Sequence, residues 1–579
     1  MVYILICFLL TVFDLEIRYP SENAQYNEGL LYLKVFVWNN NELPESTWVE
    51  SYGKIPRIST DWPTYCRNFM HWGFSESYAP RDSQILWKVP IPLGNFHEFA
   101  QPVVVDGVVY YAANWSGLVM ALNALTGELL WEFLVPSKPD AFLVLDDAVT
   151  VWQDRVLVNY EYGDTLYALN KETGSLIWKA PSPHSGCLTG TPAVWEDKVY
   201  VPETDPPHMV AYDVWTGTLL WASPCTIGVG IESCPALADG IVYIGTTGGQ
   251  SSVHAFDATS GELLWTTEPI EGMFWDTSPL IVGDTLWIGG TLSLRRVANR
   301  LHAYDRRDGS LLWVSALDGG GDGTPVYWKG FVLSGCWSIH GIRGSDGSFL
   351  WTYPPREESA YIHGSCGVAD EVVFFGTDYT RTLYAVDVNR GEEIWHYSFD
   401  GDNLQCSPSI VDGIVYFAGS DSFLYAFGSE RVFTYGDTLL FQNPGTYTLV
   451  VWAENSSGER VSDTVNFSVV GIAEKEAYSK LSAPSLSQNY PNPMLNVTQI
   501  EYAIPAASWV SMKIYNVSGQ LIKPLVDGLQ EPGQYTVSWN GRAENGQRVP
   551  PGVYVYKLEV HTELRMKDYK ETKKMVLMR

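Results

Sequence analysis

HAFDATSGELLW, residues 254–265, carries the reading on which this fold turns. Apolar and polar residues alternate into a short loop that contains Asp257 and Gly261, and a second strand then ends on Trp265. Alternation with period two marks half-buried strands, and a loop of this kind between two of them marks a β-hairpin. Asp favours the turn by bonding nearby backbone, while Gly supplies the positive φ that the loop requires.

Six further segments end in the same way: MALNALTGELLW (120–131), YALNKETGSLIW (167–178), VAYDVWTGTLLW (210–221), HAYDRRDGSLLW (302–313), HGIRGSDGSFLW (340–351) and YAVDVNRGEEIW (384–395). Gly stands four residues before Trp in every copy, and Asn or Asp eight before it in all but one, where Arg343 takes the place. A second strand pair lies upstream of each hairpin, as in QPVVVDGVVYYAAN (101–114) and SPSIVDGIVYFAGS (407–420). Four short antiparallel strands recurring every ~40–48 residues are the content and period of a β-propeller blade. No segment shows the 3.6-residue stripe of a helical solenoid.

Two fragments break the count in complementary ways. SFLYAFGSE (422–430) begins like the hairpin and never reaches a Trp, whereas SQILWKV (83–89) carries Leu86-Trp87 with no hairpin before it. Joining them gives the last blade its outer strand and leaves no sheet edge open, which removes an aggregation hazard. The expected fold class is therefore all-β: an eight-bladed β-propeller over 80–430 closed by an N-terminal strand, followed by small immunoglobulin-like β-sandwich modules. The blade-docking residues are Trp87, Trp131, Trp178, Trp221, Trp265, Trp313, Trp351 and Trp395.

The Gly-x-x-x-Trp hairpin resembles the tryptophan-docking motif of pyrroloquinoline quinone (PQQ)-like propellers, and DWPTYCRNFMHWGFS (61–75) looks like the segment that precedes them in secreted bacterial proteins. That superfamily includes quinone-dependent alcohol and sugar dehydrogenases, and also non-catalytic propellers such as the lipoprotein of the outer-membrane β-barrel assembly machine. The resemblance implies, for a dehydrogenase, a quinone above the channel with calcium, an Asp base and often a disulfide between adjacent cysteines. This chain has no adjacent Cys pair, and no Asp matches the base by motif. Haem-attachment CxxCH, GxSxG and HExxH motifs are absent as well. PQQ is accordingly not expected, and a non-catalytic role is.

Outside the propeller, MVYILICFLLTVF (1–13) falls short of the ~20 apolar residues of a membrane helix. It is read as the apolar part of a secretory signal over 1–20, with an extension over 21–79 and no membrane span in the mature protein. GTYTLVVWAENSSGERVSDTVNFSV (445–469) alternates over two strands, so 431–471 reads as a partial PKD-like or immunoglobulin-like segment or a strap. A polar linker, 472–485, precedes a small sandwich over 486–579. Its LSQNYPNP opening (486–493), its Trp539-Asn540-Gly541 turn, Gly552-Val553-Tyr554 and the closing Lys574-Met575-Val576 resemble the C-terminal sorting domain of type IX secretion, with Met494 where a Phe is usual. The resemblance implies the type IX machinery as a partner and delivery, through the periplasm, to the outer cell surface or the medium.

A formal charge of −29 disfavours nucleic acid as a partner. The eight cysteines include no CxxC pair, so they form no zinc pattern, and a disulfide such as Cys225–Cys234 stays open. For chemistry the channel mouth is the place to look. Eleven residues before the second-strand positions Tyr110, Leu157, Tyr200, Tyr243, Trp287, Leu333, Phe374 and Tyr416 stand Phe99, Asp146, Thr189, Glu232, Asp276, Asp322, His363 and Gln405. Seven are polar and form a candidate ligand-binding rim. Its acids suit a hard cation held by oxygen, and Asp276 and Asp322 are the candidate calcium ligands. The alternative is structural, with these side chains bonding backbone N–H groups between blades. A glycan ligand would instead use exposed rings such as Trp115, Trp215 or Trp275. The partner in either case is an unidentified surface protein or glycan.

Overall fold

The computed structural model describes, within the repeats and their lead-in, residues 59–91, 100–113, 116–136, 148–159, 164–274, 277–291, 299–317, 323–354, 361–401 and 404–428. It also describes most of 484–577, and in 13–54 and 432–470 the strands named below. No helix occurs among the described residues, so none is long and apolar enough to cross a membrane. The fold is an all-β propeller with further β-sheets. Contacts divide the chain into two compact units, Thr60–Arg431 and the pair Met1–Ser59 with Val432–Arg579.

Among the described residues the first unit holds eight sheets built on four-strand meanders, two of them with a fifth short strand, and one two-stranded sheet besides. In blade 1 the strands run, from the innermost outward, Val103–Val105, Val108–Ala113, Leu118–Asn123 and Leu129–Leu134. Blade 8 takes Ser409–Val411, Ile414–Gly419 and Phe423–Phe427 from the end of the repeats and Ile85–Pro90 from their beginning. Ile85–Pro90 pairs antiparallel with Phe423–Phe427, Trp87 opposite Ala426 and Pro90 opposite Phe423. Blade 8 meets blade 1 through Gln101 Nε2, which donates to Pro408 O at 2.6 Å, and through Tyr416, whose hydroxyl donates to Ala124 O at 3.1 Å.

Each docking Trp leans onto the blade that follows. The indole N–H groups of Trp87, Trp131, Trp178 and Trp351 donate to Ala124, Lys171, Val214 and Val388 carbonyls at 2.8–3.0 Å. Trp221 reaches Ala258 O at 3.3 Å, and Trp395 reaches Pro80 O at 2.9 Å in the stretch that enters the closing strand. Trp265 and Trp313 lie against Gly309 and Gly347 in the same manner. The hairpin Gly is thus the seat for the preceding blade's indole as well as the turn's left-handed residue: a Cβ on Gly174 would lie 2.4 Å from Trp131.

The lead-in that precedes the closing strand runs around the inside of the ring. Trp62 exchanges both backbone hydrogen bonds with Val104 of blade 1 (2.7 and 2.9 Å). The carbonyls of Pro63, Phe69, Met70, Trp72 and Gly73 accept from Val151, Leu237, Ile281, Tyr327 and Val368, in the innermost strands of blades 2, 4, 5, 6 and 7, at 2.6–2.9 Å. Blade 8 is met through Thr60 and Ser77, whose hydroxyl oxygens accept from Asp412 N and Gly413 N. Six of the eight inner edges, and the first turn of blade 8, thereby bond to one short segment, which satisfies N–H groups that would be costly to bury alone. Trp62, Cys66, Trp72 and Phe74 of this belt are buried. Gly73 is indispensable to it: φ is +64° and a Cβ would overlap Val326 at 2.2 Å.

In the second unit, Phe13–Tyr19, Gly29–Asn39 and Val432–Phe441 form one sheet. Gln25–Asn27, Arg460–Val470, Gly445–Glu454, Ser46–Val49 and Gly53–Lys54 form another. The segment read as partial or as a strap is neither, because strands from the chain's beginning complete its sheets. The first of those strands lies inside the stretch read as a leader, whose residues 1–12 are outside the described residues. The end of the chain makes two further sheets around a core that includes Met494, Ile500, Trp539, Tyr556, Met575 and Leu577. Met494 is fully buried and donates its N–H to Val576 O at 2.8 Å. Asn489 and Asn492 flank it, Asn492 Oδ1 accepting from Val576 N at 2.9 Å. Tyr490, Pro491 and Pro493 lie outside the described residues.

Candidate functional site

The meander decides which face carries the variable loops. Innermost strands begin, and second strands end, on the same face, so the blade-to-blade connections and the loops between second and third strands gather there. The rim positions lie in those connections.

A regular hydrogen-bonded ring underlies this face, two residues past the rim positions. Thr191 N–H donates to Cys234 Sγ (3.2 Å), Cys234 N–H to Ser278 Oγ (2.8 Å), and Ser278 N–H to Thr324 Oγ1 (2.8 Å). Thr324 N–H continues to Ser365 Oγ (3.0 Å) and Ser365 N–H to Ser407 Oγ (2.8 Å). Each blade from the third to the seventh is so tied to its successor by a hydroxyl or thiol on a backbone N–H. The belt joins this ring where Tyr65 OH meets Ser365 Oγ at 2.6 Å and Thr324 Oγ1 at 3.2 Å. The sequence reading anticipated this kind of tie, but at the rim positions rather than two residues on.

At the rim itself, Asp146, Asp276, Asp322 and Phe99 lie outside the described residues, so the proposed calcium ligands gain no geometry here. Thr189 is buried and its hydroxyl donates to Ile231 O at 2.9 Å, an inter-blade bond. Glu232 is half-buried in the connection into blade 4. His363 and Gln405 converge on Asp378, a residue the rim alignment missed: Gln405 Nε2 is 3.4 Å and His363 Nε2 3.9 Å from Asp378 Oδ2. Leu404 N–H donates to Asp378 Oδ1 at 3.1 Å, which fixes the carboxylate.

Three rings border this polar group. Tyr361 packs on His363 at 4.3 Å between centroids, Trp337 lies 5.4 Å from Tyr361, and Tyr379 lies 5.9 Å from both Trp337 and Tyr361. Tyr361 is buried with φ +52°, an unusual conformation for a bulky side chain. Tyr379 is 63% exposed and Trp337 half-buried, so these two rings face solvent, while Asp378 and Gln405 beneath them are buried. A carboxylate, an amide and an imidazole beside aromatic rings can hydrogen-bond hydroxyls while the rings cover an apolar face. The sequence signal was the loop TDYTRT (377–382), which places an acid and a Tyr together at the end of a second strand.

Of the three rings singled out for a glycan, Trp115 and Trp275 lie outside the described residues. Trp215 sits on the opposite face, exposed, edge-on to Trp152 at 4.9 Å and with the Arg155 guanidinium over its ring at 4.3 Å. Cys225 and Cys234 are not joined in a disulfide. Burial pushes the Cys225 and Cys66 thiols up to about 12 and keeps them protonated. Among the described rim positions Glu232 is the one carboxylate, and Asp378 adds a second beside His363 and Gln405.

The sequence family described as outer membrane protein assembly factor BamB matches residues 77–186, 163–333 and 338–431, and that described as the FlgD Ig-like domain matches 497–563. A tetrathionate hydrolase of Acidithiobacillus ferrooxidans is 25% identical over 194 residues, 28% of this chain and 37% of that protein. The outer membrane protein assembly factor BamB of Escherichia coli is 36% identical over 91 residues, 15% of this chain and 23% of that protein. The matches thus span well under half of either relative. A solved quinohemoprotein alcohol dehydrogenase from Pseudomonas putida HK5 has a TM-score of 0.53 at 17% identity, over 66% of this chain and 81% of that one. That likeness carries the fold alone.

Proposed function

This chain belongs to the family of the outer membrane protein assembly factor BamB, and on that premise we propose that it is a non-catalytic binding and scaffolding propeller of the cell exterior. The observation that carries the reading is the belt of residues 60–77. It bonds to six inner strands and to the turn that follows a seventh, and packs buried side chains against them, which leaves the loops of the rim face as the working surface. Delivery by the C-terminal sandwich through type IX secretion accords with a domain that has its own core and is closed by its last strand.

A second reading, a glycan as the ligand, is favoured by the exposed Tyr379 and half-buried Trp337, which stand over the buried Tyr361, Asp378 and Gln405. Such rings stack on the apolar faces of sugars while the carboxylate and amide take hydroxyls.

One experiment separates binding from catalysis. Full-length protein is incubated with PQQ and Ca²⁺, desalted, and its visible spectrum and bound metal are recorded. No retained quinone is expected, and stoichiometric quinone with calcium would restore the dehydrogenase. Affinity electrophoresis in polysaccharide gels then tests the ligand class. Retardation lost in Trp337→Ala/Tyr379→Ala supports a glycan, and its absence throughout returns the ligand to a protein partner.

A further inference from the structure

On the rim face of blade 3, apart from the Asp378 cluster, the connection over Ser182–Leu188 folds back across the loop between the second and third strands. The short strand Cys187–Leu188 holds it there, with Cys187 opposite Thr204 and Leu188 opposite Glu203. This brings His184 from the connection, Glu203 from the second strand and His208 from the start of the third into one group. A ring nitrogen of each His and a carboxylate oxygen of Glu203 all lie within 4.8 Å of one another. We infer that His184, Glu203 and His208 form a binding site for a divalent transition metal of the zinc class.

The arrangement around the carboxylate favours this reading. Glu203 is fully buried, and its Oε1 accepts from the Ser182 hydroxyl and from the backbone N–H groups of His184 and Gly186, both at 3.1 Å. Those three donors converge on one oxygen and turn the other, Oε2, toward the imidazoles, where it lies 2.6 Å from His184 Nδ1. His208 is oriented by backbone, its Nδ1 lying 3.1 Å from Pro206 O. A ring N–H donated to a carbonyl fixes the tautomer with a lone pair on Nε2, the common device for a ligating His. The two imidazoles stack at 4.1 Å between centroids.

Two nitrogens and one carboxylate oxygen are a donor set that zinc accepts, at ~2.0–2.2 Å from each atom. Imidazole with carboxylate also suits nickel and copper, and it disfavours calcium, which takes six or more oxygens. His184 is exposed and His208 half-buried. Rotation of these surface rings closes the triangle, and the solvent side leaves a fourth position for water or for a donor from a bound partner.

The test uses the full-length protein stripped with chelator and titrated with Zn²⁺ by calorimetry, followed by metal analysis after desalting. About one zinc per chain is expected, with affinity reduced at least about tenfold in His184→Ala and in His208→Ala. Co²⁺ in place of zinc should give visible d–d bands without thiolate charge transfer, which separates this site from the cysteines. Zinc should also raise the melting temperature of the wild type and not that of His184→Ala/His208→Ala, whose metal-free melting certifies its fold. No zinc retained by the wild type, a thiolate band with Co²⁺, or undiminished uptake by the double variant would each overturn the assignment.

Discussion

Gly217 serves two purposes, and they can be measured separately. Its φ is +71°, and a Cβ there would lie 2.7 Å from the Trp178 ring of the preceding blade. Gly107 has a similar φ, +77°, with nothing within 4 Å of such a Cβ. Gly107→Ala should therefore cost only the left-handed conformation, about 1 kcal/mol. Gly217→Ala must also displace an indole that donates to Val214 O, so a loss of about 2–3 kcal/mol is expected. Urea midpoints compare the two variants, and equal losses would remove the docking role from the glycine. A single repeat discloses the turn but not the seat, because the ring that occupies the seat belongs to the previous repeat. Asp378 escaped the sequence reading for a related reason. It lies in a loop of irregular length, outside any repeat-based alignment, and only folding brings it to His363 and Gln405.

Among the elements, the closing strand was legible and the belt was not. A missing outer strand at one end and a surplus one at the other are countable in the residues themselves. The belt bonds chiefly through the carbonyls of residues 62–73, and main-chain acceptors leave no trace in side-chain pattern. The sandwich lies between these cases. Alternation in Gly445–Glu454 and Arg460–Val470 announces strands, yet their neighbours Ser46–Val49 and Gln25–Asn27 stand some four hundred residues away in sequence. The closing strand gives a direct prediction. Excising residues 83–89 leaves Phe423–Phe427 as an open edge in place of its ladder to Ile85–Pro90. Such an edge templates pairing with other chains. Light scattering should show association and calorimetry a lower melting temperature, while a monomer with unchanged melting would argue that blade 8 does not depend on that strand.

For the molecule as a whole, acid is the expected weakness of the propeller. Burial holds the imidazoles of His71, His254 and His302 down to about 4, against an ordinary value of 6.5. His254 Nε2 accepts the N–H groups of Thr226 at 3.1 Å and Ile227 at 3.4 Å, bonds an imidazolium could not accept. Between these two pH values the unfolded chain binds more protons than the native one, so stability is lost as pH falls from about 6.5 toward 4. The limit is on the order of 3 kcal/mol for each group. Melting temperatures across that window should decline steadily, with a shallower slope in His254→Gln, and a flat profile would contradict the burial of neutral imidazoles. The net charge, −29 at pH 7, also passes through zero within this window, near a pI of 4.7, so the comparison of wild type with His254→Gln is what isolates the imidazole.

The strands that flank the propeller have a mechanical consequence. Gly29–Asn39 pairs antiparallel with Val432–Phe441, Gly29 opposite Phe441 and Trp38 opposite Val432. Tension applied at Gly29 and Phe441 themselves meets this ladder at its Gly29–Phe441 end and opens it one rung at a time. Until the Trp38–Val432 rung parts, the eight blades between those two residues carry no load.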